Sequence, residues 1–138
     1  MMRILTLTLK FLILIAFIKC KEENVINPAL LIGNWQVDSI YTYQNGFDFM
    51  RRGGTNWGSY QYHNSGKISE HKMENKREFL FEVIAPDSLV YKSPDQKPLA
   101  TFKIMKLNDK VLVLKKNLQP LIKGPNQQSY EVRFFSKN

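Results

Sequence analysis

The strongest constraint on this chain lies in its periodicity. Beyond residue 20, no stretch of 11 or more residues spaces its apolar side chains at i, i+3, i+4 and i+7, as an amphipathic helix requires. Short alternating runs take its place. Residues 32–43 put Trp35, Val37, Tyr41 and Tyr43 on one parity and Gln36, Asp38 and Thr42 on the other. Residues 57–63 carry Tyr60 and Tyr62 in step. Residues 66–73 follow through Asn64-Ser65-Gly66, where glycine tolerates the positive φ of a hairpin turn. Residues 77–84 read REFLFEVI and stop at Ala85-Pro86-Asp87-Ser88, where proline presets a turn. Further strands are expected at 89–92, 100–107, 110–116 and 130–136, with Asn108-Asp109 as a tight hairpin turn.

Strands and turns recurring every 8–12 residues favour a sandwich or barrel over an α/β fold, which needs helical patterns between its strands. About eight strands suit a small antiparallel up-and-down barrel, and closure removes the edges that invite aggregation. Two stretches break the rhythm and are expected to be long loops. One spans 44–56 and holds Met50, Arg51, Arg52 and Gly53-Gly54; the other spans 117–128 and holds Pro120, Gly124 and Pro125. Arg51 and Arg52 are loop-contact candidates, because an arginine fork suits a carboxylate or an acidic partner better than a lysine does.

The first twenty residues are of another kind. Arg3 and Lys10 form a positive n-region, an apolar run covers 11–18, and Cys20 follows directly. The run is shorter than the roughly 20 residues a spanning helix needs. Residues 14–20 resemble a bacterial lipoprotein signal, with Lys19 where such signals carry a small residue; the resemblance implies acylation of Cys20, the only cysteine. Lys21-Glu22-Glu23 resembles the short charged signal that sends lipoproteins of the Bacteroidetes to the outer face of their outer membrane. The expected organisation is therefore a cleaved signal at 1–19, a tether at 20–29 and one β-barrel domain at 30–138. The expected location is an exported outer-membrane lipoprotein, exposed at the surface.

Loss of residues 1–19 leaves 17 basic against 12 acidic residues, a net of +5 in place of +8. Lys67, Lys72, Lys76, Lys92, Lys97, Lys103, Lys106 and Lys110 are scattered at near-regular intervals, whereas a nucleic-acid reader gathers its cations on one face. Nucleic acid is therefore not an expected partner; an anionic lipid or polysaccharide surface is a candidate neighbour.

The segments 31–37 (LIGNWQV), 60–66 (YQYHNSG), 104–114 (IMKLNDKVLVL) and 130–134 (YEVRF) are similar, in order and spacing, to the lipocalin-like domains of small bacterial lipoproteins. In that group a glycine and a tryptophan two residues later open the first strand, as Gly33 and Trp35 do here. The resemblance implies an antiparallel barrel with an apolar cavity and no specific ligand. Residues 44–56 have no counterpart in it.

The inventory of reactive groups is sparse. No GxSxG, HExxH, P-loop or dinucleotide fingerprint occurs, and the two histidines, His63 and His71, flank the 64–66 turn, where with Glu70 they make at most a partial metal site. Neither catalysis, a metal nor a cofactor is expected. The feature best suited to function is the aromatic content of one strand parity: Trp35, Tyr41, Tyr60, Tyr62, Phe79, Phe81, Tyr130 and Phe134. Facing inward, these rings either fill the core or line a pocket, since an eight-stranded barrel is just wide enough for side chains or for one small ligand. Of them, Tyr41, Tyr60, Tyr62, Phe79, Phe81, Tyr130 and Phe134 are the ligand-binding candidates. The expected function is a monomeric, membrane-anchored binding module for a small apolar or amphipathic molecule. The alternative is a solid barrel whose loops engage an envelope protein, as an interaction or inhibitor module.

Overall fold

The computed structural model describes residues 26–54 and 57–138. The signal, the Cys20 site and the 21–23 motif lie outside the described residues. The described residues form nine antiparallel strands: β1 (Gly33–Gln44), β2 (Phe47–Arg52), β3 (Ser59–Tyr62), β4 (Lys67–Lys72), β5 (Asn75–Ile84), β6 (Ser88–Lys92), β7 (Pro98–Leu107), β8 (Val111–Asn117) and β9 (Ser129–Lys137). The strands β3 to β9 pair in sequence order, and β1 pairs with both β3 and β9, which closes an eight-stranded barrel. Among the described residues no helix is long and apolar enough to cross a membrane.

The ninth strand, β2, corrects the expected loop at 44–56. Asn45 (φ 50°) and Gly46 (φ 95°) turn the chain back, and Phe47–Arg52 then pairs with Ser39–Gln44. Positive φ at both central residues matches the right-handed twist of a hairpin, and Asn-Gly is its strongest short-range signal. Every residue of β2 is exposed, so no inward-facing apolar parity marks it as a strand. The edge of β1 is thereby divided, Gly33–Gln36 pairing with β3 and Ser39–Gln44 with β2.

Between the two halves β1 has a bulge: Val37 pairs with Phe135 and Ser39 with Phe134, so Asp38 is an extra residue. An extra residue in a period-two strand exchanges its faces. Trp35 and Val37 point inward below the bulge, and above it Ile40 and Thr42 do, opposite Arg133 and Glu131. Gly53 packs on this kink, where a Cβ would come within 2.7 Å of the Asp38 carbonyl oxygen.

One end of the barrel is closed. Pro28–Leu31 forms a 3-10 turn, its first turn held by the Asn27 side chain, which accepts from the Ala29 N–H at 3.1 Å. Trp35 Nε1 donates to the Leu31 carbonyl at 2.7 Å, and Lys137 Nζ donates to the Leu30 carbonyl at 3.0 Å while lying over the Trp35 ring. Leu31, Trp35, Tyr62, Ile68, Leu89, Leu112, Leu114 and Phe135 are fully buried and pack as one core. This half of the interior is solid, and each such side chain contributes about 1.5–3 kcal/mol on burial.

Candidate functional site

The open end is formed by the β1–β2, β4–β5, β6–β7 and β8–β9 connections, and the interior beneath it is polar. Strand alternation turns Tyr60, Glu70, Arg77 and Arg133 inward at this level, and Ile40 and Arg51, which pair across β1 and β2, share the same face. Together with Val37, Trp57 and Lys72 they enclose a cavity of about 290 Å³. Trp57 stands in the gap left where β1 changes partners, and Arg51 stacks over its ring at 5.9 Å. Gln36 Nε2 donates to the Gly58 carbonyl at 2.9 Å and fixes that corner.

Glu70 organises one wall. Its Oε1 accepts from the Tyr60 hydroxyl at 2.8 Å, and its Oε2 pairs with Arg77 Nη2 at 2.7 Å. On the opposite wall Arg133 Nε donates to Glu131 Oε1 at 2.6 Å, with the guanidinium 5.6 Å from the Phe102 ring. Burial, then the hydrogen bond to Glu70, raises the Tyr60 phenol well above its usual range, so it stays a neutral donor. Four cations thus line the cavity against the carboxylates of Glu70 and Glu131, an imbalance of two positive charges that an anion would offset. Thr42, on the same face as Ile40, is buried, and its hydroxyl has no hydrogen-bond partner among the described residues.

A larger hollow, about 570 Å³, crosses the wall where β7 and β8 stop pairing beyond Lys103 and Lys115. It lies among lysine stems and the start of β7 and lacks a converging set of hydrogen-bonded groups. The smaller cavity is the one that gathers hydrogen-bonded and charged side chains.

The expected site residues divide. Tyr60 and Tyr62 are inward and buried. Phe79 and Phe81 are also inward but half-buried, at the edge of the core, where Phe81 meets Tyr62 edge-on at 5.0 Å and Phe79 stacks with Tyr91 at 6.4 Å. Tyr41, Tyr130 and Phe134 do not face the interior. Tyr41 is carried outward by the Asp38 bulge and meets Tyr130 on the outer wall at 6.2 Å, with Tyr43 stacked on Tyr130 at 5.1 Å. On β9 it is Phe135 rather than Phe134 that is buried, opposite Leu112. Arg51 and Arg52 sit on β2 and not in a loop, and alternation sends Arg51 to the cavity and Arg52 to the other face.

His63 and His71 are not brought together. His71 pairs with Ser59 at the far end of the β3–β4 hairpin, while His63 lies beside the turn with Nε2 3.2 Å from Ser69 Oγ. Among the described residues no three His, Cys, Asp or Glu side chains are grouped to hold a metal. Arg77, Arg133 and Lys72 were not legible as site residues. The only signal for them is positional, a cation at an inward parity near an open strand end.

Fold and site define a closed antiparallel β-barrel, solid at one end and lined by cations at its mouth. Comparison of the chain with protein-family models, with curated proteins and with solved structures finds no match.

Proposed function

We propose that this chain is a lipocalin-like, non-catalytic binding module, tethered to a membrane by acylation of Cys20, that holds a small amphipathic molecule by an anionic head. The observation that carries this reading is the cavity walled by Arg51, Lys72, Arg77 and Arg133. Arginine forks match carboxylate and phosphate oxygens, and Trp57 beside Arg51 adds an apolar edge to the site. Its volume lies at the lower limit of small-molecule sites, enough for a head group and a few carbons. The apolar remainder of the guest would rest against Trp57 and Phe49, above the solid core.

Calorimetric titration with decanoate and with decanol tests the head-group assignment. Decanoate is expected to bind at least about tenfold more tightly, since a charge-assisted bidentate contact is worth about 1.5–3 kcal/mol. Arg51→Gln, which breaks no ion pair among the described residues, should remove most of that preference and leave the unfolding midpoint unchanged. Equal affinity for the two probes, or none for either, overturns the reading. The tether is tested separately. Cys20→Ser is expected to move the protein from the membrane to the soluble fraction after export, and retention of that variant on membranes refutes acylation as the anchor.

The fully exposed β2, whose outer edge has no strand partner among the described residues, favours a second reading in which the barrel engages an envelope protein through that arm. Under it, decanoate and decanol bind equally poorly.

A further inference from the structure

The open rim collects features that the sequence spreads over ninety residues. In an up-and-down barrel every second connection lies at the same end, and here those segments are 44–54, 72–78, 92–98 and 115–130. They carry ten Lys or Arg against four Asp or Glu, a net of +6, while the other described residues balance at six and six. The same segments, with Leu99 beside them, expose most of the large apolar side chains, Ile84 and Met105 being the two that lie elsewhere among the described residues. Phe47 is 80 % exposed, Met73 76 %, Leu121 83 % and Ile122 70 %, with Met50 and Leu99 about half exposed.

We propose that this rim docks on an anionic lipid surface. Two observations select a bilayer over a folded partner. The apolar side chains are spread over separate connections, Phe47 and Met50 on the β1–β2 arm, Met73 on the β4–β5 turn and Leu121 with Ile122 on the β8–β9 loop, so each tip inserts independently into a fluid interface. A rigid protein would have to supply a matching hole for each. Cations alternate with them, Arg52 beside Met50, Lys72 beside Met73 and Lys123 beside Ile122, so insertion of the apolar tip brings a positive charge to head-group level. The charge also argues against a second copy, because rim-to-rim contact would bring two +6 surfaces together. Arg51, Lys72 and Arg77 also line the cavity, so docking is tested without a cavity guest; the other seven cations against four carboxylates still leave the rim positive.

The experiment uses the full chain carrying Cys20→Ser and one new cysteine bearing an environment-sensitive fluorophore. One label site is Met73→Cys on the rim; the other is Asp109→Cys on the β7–β8 turn at the closed end. Vesicles are phosphatidylcholine alone or with roughly one third phosphatidylglycerol. The rim label is expected to shift to the blue with the anionic vesicles, and to be quenched by lipid-borne quenchers. The closed-end label should not respond, and neutral lipid or raised salt should weaken the rim response about tenfold. Leu121→Asn with Ile122→Asn, both at exposed loop positions, should raise the vesicle concentration at half-response about tenfold without moving the unfolding midpoint. Equal responses from both labels would place binding in the N-terminal segment and overturn rim docking. So would a silent rim label, or a rim label that responds to protein concentration without vesicles, the sign of a second copy.

Discussion

Replacing Trp35 by alanine is expected to lower the unfolding free energy by about 3–5 kcal/mol, the range for deleting a fully buried large aromatic. This is a large share of the 5–15 kcal/mol by which small domains are stable. Three losses coincide at this position. The side chain is 0 % exposed, so truncation leaves a cavity that the rigid barrel wall cannot collapse into. Its indole N–H is the tie that holds the 3-10 turn by the Leu31 carbonyl, and its ring is the platform under Lys137 Nζ. A denaturant titration followed by far-ultraviolet circular dichroism measures the effect. A loss below about 1 kcal/mol would mean that the closed end is held by something other than this side chain.

The second large effect is expected at alkaline pH. Tyr60, Tyr62 and Tyr91 sit inside the barrel, and burial raises all three phenols. Tyr91 is pushed up to about 12, while Tyr60, further raised by Glu70, and Tyr62, further raised by Tyr91, go higher. In the unfolded chain each titrates near 10. Their stabilising contribution is therefore complete below pH 10. It is lost as pH rises from 10 through about 12, because the unfolded state releases protons that the folded state retains. Each group adds a slope of up to about 1.4 kcal/mol per pH unit, and the three together about 4. Phenolate absorbance should show these three ionising with the loss of circular dichroism and not before it. Tyr62 and Tyr91 share a hydrogen bond between their hydroxyls, so replacing both by phenylalanine removes the two partners at once. That double variant should have near-wild-type stability at neutral pH and about one third of the alkaline slope. Tyr91→Phe alone should cost about 1–3 kcal/mol, by leaving the Tyr62 hydroxyl buried without its partner. Phenols that ionise ahead of unfolding would contradict the burial of these three rings.

The all-β architecture and eight of the nine strands were legible from alternation and turn chemistry. Asn64-Ser65-Gly66 turns as expected, with Gly66 at φ 76°, and Asn108 accepts from the Lys110 and Val111 N–H groups to make the β7–β8 turn. What could not be read follows from three physical causes. Strand β2 has neither face buried, so its side chains carry no alternation; the Asn45-Gly46 turn was its one signal. The faces of β1 exchange at Asp38, and a bulge has no composition of its own, so Tyr41 was assigned the parity of Trp35. On β9 two adjacent phenylalanines fit either register, and only pairing with Leu112 decides for Phe135. The cationic mouth was hidden for a different reason. Arg51, Lys72, Arg77 and Arg133 lie far apart in sequence, and closure of the sheet brings them to one cavity.

The seam that closes the barrel joins β1 to β9, pairing Trp35 with Lys137 and Gln44 with Ser129 across about 85–100 residues of intervening chain. A polypeptide emerging from the ribosome cannot make that seam until its last strand has been synthesised. Until then Trp35 of β1 and Leu112 and Leu114 of β8 lack their β9 neighbours, and the early strands have only their hairpin neighbours to hold them. Loop-closure entropy makes contacts of this separation the slow step of folding. The nascent chain therefore cannot close for the whole of its synthesis, and the barrel forms in one late event.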